Sequence, residues 1–161
     1  LLGSGTILRE MMQAADILDK DFKIDCDVWS VTSYSLLRRD ALECQRINML
    51  NPTKKAKKSY IETVLEKEKG HFVAVSDNMK IVAEQISQWV PGGLAVLGTD
   101  GFGRSETREN LRRFFEVDEH FTVLATLYKL SQEGKIDPKV VEKAKKKLGI
   151  KADKIYPKHA Y

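Results

Sequence analysis

Two short apolar runs dictate most of what this chain can become. His71-Phe72-Val73-Ala74-Val75 and Leu94-Ala95-Val96-Leu97 carry apolar residues at consecutive positions, not alternate ones. Successive strand residues point to opposite sides, so such a run is apolar on both faces. A sheet covered on both faces is most simply made from parallel strands joined by crossover helices. Two further segments fit the same sheet. Leu1-Leu2-Gly3-Ser4-Gly5 reads as the end of a buried strand, and Val28-Trp29-Ser30-Val31-Thr32 as a strand of β-branched and aromatic residues.

Helix-spaced apolar residues fill the gaps. They are Ile7, Met11, Ala14, Ala15 and Leu18; then Leu37, Ala41, Cys44, Ile47 and Met49; then Tyr60, Val64 and Leu65, closed by Gly70. Asp77 or Asn78 is placed to cap a helix with Met79, Val82, Ala83, Ile86 and Val90 inside. Thr107 to Phe115 reads as helical. Asp118 caps a helix with Phe121, Leu124, Ala125 and Tyr128 inside, stopped by Gly134. Asp137-Pro138 opens a last helix with Val140, Val141, Ala144 and Leu148 inside. The expected fold is α/β in three layers: a mainly parallel sheet of four to five strands, with helices on both faces.

Composition narrows the class. A length of 161 residues fits one domain, 1–161. A hydrophobic fraction of 42% with 31% charged residues excludes a disordered, collagen-like or disulfide-dense chain. No apolar run reaches the roughly 18 residues of a membrane span, so no membrane is expected as a partner. The net charge of +4 is too mild to indicate nucleic acid. The basic runs Lys54 to Lys58 and Lys143 to Lys147 read as solvated faces. Cys26 and Cys44 lack metal-ligand spacing and read as reduced thiols of a cytoplasmic protein. There is no initiator methionine and no secretory signal pattern, and the opening residues resemble the end of a strand. A piece of a longer chain is the expectation.

In a parallel sheet, the loops after the strands are where function gathers. Gly3-Ser4-Gly5 lacks the third glycine of a dinucleotide fingerprint, since Leu8 stands there; a tight strand-to-helix turn is expected. Asp100-Gly101-Phe102-Gly103-Arg104-Ser105 is the richest loop. Asp100, Arg104, Ser105 and Arg108 are candidates for an inter-domain or anion contact, with Glu106 and Glu109 competing for the arginines. His71, His120 and His159 share no catalytic or metal spacing, so no catalytic, cofactor or metal residue is assigned.

Longer motifs carry a resemblance. Gly98-Thr99-Asp100-Gly101-Phe102-Gly103-Arg104-Ser105, continuing into Arg108-Glu109-Asn110-Leu111-Arg112, resembles the C-terminal domain of the homodimeric bacterial pyruvate dehydrogenase E1 components. Leu2-Gly3-Ser4-Gly5, Asp27-Val28-Trp29-Ser30-Val31-Thr32-Ser33, Arg46-Ile47-Asn48-Met49-Leu50, Phe115-Glu116-Val117-Asp118 and Ala152-Asp153-Lys154 follow in matching order. The resemblance implies a transketolase-like enzyme of three α/β domains that uses thiamine diphosphate and magnesium. Such an enzyme decarboxylates pyruvate and passes the acetyl group to the lipoyl group of an E2 acyltransferase. It implies as partners the other E1 domains, a second E1 subunit and E2. The family holds its cofactor through a Gly-Asp-Gly motif in another domain. Here Thr99 stands where the first glycine would be, so no cofactor is expected on this segment alone. The implied role is structural: assembly of the dimer and shaping of the active-site entrance. Two alternatives stay open: a stand-alone α/β module binding an anion or small molecule, and the C-terminal domain of another transketolase-like enzyme.

Overall fold

Four parallel strands run side by side in the order β2-β1-β3-β4. They are β1 (Leu2–Gly3), β2 (Trp29–Ser30), β3 (Phe72–Val75) and β4 (Leu94–Leu97) in a computed structural model that describes residues 1–160. Leu2 lies opposite Trp29 on one side and Ala74 on the other, and Phe72 opposite Leu94. The expected three layers are present. Leu1, Val73, Val75, Ala95 and Leu97 face α1 (Leu8–Phe22), α6 (Glu119–Gln132) and α7 (Pro138–Lys147). Leu2, Phe72, Ala74, Leu94 and Val96 face α2 (Tyr34–Leu50), α3 (Tyr60–Leu65) and α4 (Lys80–Glu84). Successive residues thus feed two separate cores, as the unbroken apolar runs require.

Local chemistry sets the helix ends. Ser33 Oγ accepts from the Leu36 N–H, Thr107 Oγ1 from the Asn110 N–H that opens α5 (Arg108–Phe114), and Asp118 Oδ1 from the Phe121 N–H. Ser59 and Glu62 form a reciprocal capping box. Asp137 accepts from Lys139 N–H with Pro138 at the first helical position.

Several expectations are corrected. Strand β4 is half-buried along its length, because it is the sheet's edge. Neither Asp77 nor Asn78 caps α4; Met79 is the cap residue, without a side-chain bond, and its own side chain is exposed. Helix α3 ends at Leu65, before Gly70. Tyr128 is exposed, and Val123 and Leu127 are the buried apolar residues of α6 beside Phe121. That helix packs on α1, α7 and the sheet together, so its buried arc is broad enough to take in Thr122 and Thr126. Their hydroxyls donate to Asp118 O and Thr122 O at 2.8 Å, which satisfies both inside the core. No described helix is long and apolar enough to cross a membrane.

Candidate functional site at the carboxyl edge of the sheet

After β1 the chain turns onto the α1 face; after β3 it turns onto the opposite, α4 face. Adjacent parallel strands whose connections leave to opposite faces open a crevice beyond their carboxyl ends. A cleft of about 480 Å³ lies there. Thr6, Asp77 and Thr99 enter it from the ends of β1, β3 and β4, and Arg104, Arg108 and Phe115 from the loop and helix that follow.

The four candidate residues separate. Asp100 is structural: its Oδ1 accepts the Lys80 N–H at 3.0 Å and so caps α4 from a distant loop. Thr99 secures the same junction, with its N–H on Asn78 O at 2.9 Å and its hydroxyl on Asp77 O at 2.8 Å. Gly98 fits here because a Cβ would lie 2.6 Å from Asn78 O and 2.7 Å from Lys80 N. Arg104 lies over the Phe114 ring, 4.3 Å from its centroid, and lines the cleft. Arg108 also lines the cleft, whereas Ser105 is exposed and outside it. Among the described residues, neither Arg104 nor Arg108 makes an ion pair. Glu106 instead accepts the Thr107 N–H, which with Asn110 holds its carboxyl below the usual range.

Behind the cleft is a charged cluster that reading the sequence missed. Buried Glu10 of α1 pairs with Arg112 at 2.6 Å. Burial, reinforced by a hydrogen bond with Glu119, pushes the Glu10 carboxyl up to about 6. Arg113 spans Asp118 at 3.1 Å and the carbonyls of Leu148 and Gly149 at 2.9 Å. A signal was present: Glu10 lies three residues after Ile7 and four before Ala14, on the apolar stripe. Asp118, Glu119 and His120 bring ligand atoms within 4.8 Å of one another. Asp118 there is already engaged by the Phe121 N–H and by Arg113.

The histidines do not converge. His71 pairs with Glu133 at 2.7 Å, His120 lies 3.5 Å from Glu119, and His159 meets the edge of Tyr156. Apolar side chains mark the other side of the carboxyl edge. Met79 and Ile81 at the start of α4, Phe102 in the loop, and Ile155 are all exposed, Phe102 by 66%. The tail docks beside them, through Lys80 Nζ to Tyr156 OH at 3.5 Å and the close approach of Gly101 to Pro157.

The profile of the transketolase-like TK C-terminal domain matches residues 1–118. The chain belongs to that family. The domain is 54% identical over 158 residues to the pyruvate dehydrogenase E1 component of Pseudomonas aeruginosa, covering 98% of this chain and 18% of that protein. It is 49% identical over 161 residues to the Escherichia coli K12 component and 42% identical over 161 residues to that of Haemophilus influenzae, each across 99% of the chain and 18% of the relative. The domain thus spans about a fifth of the length of these relatives.

Proposed function

We propose that this domain is the assembly module of a pyruvate dehydrogenase E1 that uses thiamine diphosphate and magnesium. The supporting observation is the 54% identity that runs through 98% of the chain to a protein named for that activity. The enzyme's work would be to decarboxylate pyruvate and hand the acetyl group to the lipoyl group of an E2 acyltransferase, in the cytoplasm. The residues present here do not fit the cofactor. A metal-bound diphosphate needs oxygen ligands free for a hard cation. Asp100, the acid of the Gly98-to-Ser105 motif, is spent on capping α4. Asp118 is already engaged, its carboxylate accepting from the Phe121 N–H and from Arg113, which leaves it no oxygen free to serve as a ligand. The domain itself is therefore assigned no catalytic residue.

Its role is contact with the rest of the enzyme. The exposed patch of Met79, Ile81, Phe102 and Ile155 is apolar surface of the kind that marks an interface. The loop from Asp100 to Arg108 carries the exposed Phe102 and lines the cleft with Arg104 and Arg108. The test compares pyruvate-dependent dye reduction by the full-length protein, with thiamine diphosphate and magnesium, against the 161-residue chain alone. Activity is expected only in the former. Turnover by the isolated chain would sink the assembly reading, and an inactive full-length protein would sink the assigned reaction.

A further inference from the structure

The run Lys54 to Lys58, expected from sequence to be a plain solvated face, is a strap built onto α2. After Leu50 the chain turns, with the Lys54 N–H donating to Asn51 O at 3.0 Å, and runs back along the helix. Successive turns of α2 hold it. Asn48 engages both main-chain groups of Lys57, donating from Nδ2 to its carbonyl at 2.9 Å and accepting its N–H at Oδ1 at 2.8 Å. Cys44 Sγ donates to Lys58 O at 3.7 Å, and Asp40 Oδ2 accepts the Tyr60 N–H at 2.6 Å. Residues four apart share one side of a helix, so Asp40, Cys44 and Asn48 form a single stripe along the strap. All of these contacts are to main chain. The lysine side chains are left outside: Lys54, Lys55 and Lys57 are exposed and, among the described residues, hold no ion pair, while Lys58 is taken by Glu66. A linker that only joined α2 to α3 would gain nothing from such fixing. A surface that meets a partner does, because the cost of ordering is then met on folding and not on binding.

The end of α2 adds apolar area beside the strap's turn. Met49 is 71% exposed and Leu50 56%, and exposed Arg46 lies one helical turn before Leu50. Residues 35–58 hold seven Lys and Arg against two acids, a net +5 in a chain whose total is +4. The face is basic and apolar together, so its complement is acidic and apolar. Interleaved carboxylates decide the class of partner. Exposed Glu43 lies three residues before Arg46 on the same side of α2, and Glu66 sits on Lys58. A nucleic-acid backbone or an anionic lipid surface presents negative charge throughout and is repelled by both. A protein segment can set its carboxylates on the free lysines alone. Arg and Met are also enriched where proteins meet.

Position sets this surface apart from the one assigned to assembly. Helix α2 leaves the carboxyl end of β2 and runs 17 residues, about 25 Å at roughly 1.5 Å per residue. Its last turn therefore lies at the far end of the sheet from Met79, Ile81 and Phe102. We propose that the strap and the end of α2 dock an acidic amphipathic segment of a partner protein, its apolar side chains on Met49 and Leu50 and its carboxylates on Lys54, Lys55, Lys57 and Arg46. That the partner comes from outside the enzyme rests on the assembly reading of the carboxyl edge.

The experiment follows fluorescence anisotropy of a labelled synthetic peptide of about fifteen residues, leucine at helix-spaced positions and glutamate elsewhere, titrated with the full-length protein. Binding is expected with a dissociation constant of about 1–100 µM, weakening as salt is raised. Met49→Ser with Leu50→Ser, and separately Lys54→Glu with Lys55→Glu and Lys57→Glu, should each weaken it about tenfold or more at an unchanged Tm, since all five positions are exposed. Lys139→Glu with Lys143→Glu, in the other basic run, should change it less than about twofold. The peptide should also bind more tightly than phosphatidylglycerol vesicles or duplex DNA. No peptide binding, indifference to Met49 and Leu50, an equal loss from the α7 pair, or tighter binding of vesicles or DNA would each overturn the surface. Pyruvate-dependent dye reduction and the mass of the full-length protein should be unchanged in the strap variants; a loss of either would place the face inside the enzyme and overturn the proposal. An inactive unsubstituted protein would instead sink the assigned reaction and leave the peptide titration readable.

Discussion

At Glu10, burial and ion pairing pull in opposite directions. The carboxyl is pushed up to about 6, first by burial and then by its hydrogen bond to Glu119, while Arg112 pulls it back down. A raised acid binds its proton more tightly in the folded chain than in the unfolded one. Its contribution to stability is therefore complete below the unfolded value near 4.5 and is lost as pH rises through about 6. Glu10→Gln, which cannot ionise, is expected to flatten that part of the stability profile. Urea midpoints measured from pH 4 to pH 7 check it; an unchanged slope would assign the effect elsewhere. At Gly98 the argument is steric. A Cβ there would press on Asn78 O and Lys80 N, both main-chain atoms with no freedom to rotate away. Gly98→Ala is expected to destabilise by about 1–3 kcal/mol, read as a fall in Tm of roughly 2–4 °C per kcal/mol.

Among the elements, α4 shows how a loop residue governs a helix. It is five residues long and its own cap residue, Met79, has no side-chain acceptor. Asp100 supplies that acceptor from twenty residues away. Asp100→Ala should cost about 1 kcal/mol, with faster amide exchange confined to the start of α4, whereas Asp100→Asn should retain most of the cap. Equal losses in both variants would mean that charge, not capping, is the operative property. The contrast also explains what could be read in advance. Helices α2 and α6 and strands β3 and β4 were legible because their patterns and caps are local. Ser33, Asp118 and Asp137 each cap the helix that begins next to them. The capping of α4 was not legible, since Asp77 and Asn78 sit in the usual place and the working carboxylate comes from another loop. The same limit applies to the candidate site. Its loop was found from glycines and arginines, but Asp77, Thr6 and the split between Asp100 and Arg108 depend on which strand ends the sheet places side by side.

For the whole molecule, the carboxyl edge is where surface chemistry concentrates. Exposed Met79, Ile81 and Phe102 should make the isolated chain self-associate as concentration rises. Ile81→Glu, at an exposed position, should reduce the apparent mass in light scattering without lowering Tm. A monodisperse monomer in the unsubstituted chain would contradict the patch. The family match ends at residue 118, yet α6 and α7 lie beyond it and, with α1, complete the core around Met11, Leu18, Val73 and Val75. A chain trimmed to 1–118 would bare that core and should aggregate on expression, detectable as loss of soluble protein.

The placement of α6 has a consequence for synthesis. The strands and α1 leave the ribosome first, at roughly 5–20 residues per second, but the part of that face which α6 covers stays open until α6 follows. For several seconds Val73 and Val75 lack the cover that α6 later provides, so the order of synthesis leaves this part of the core the last to close.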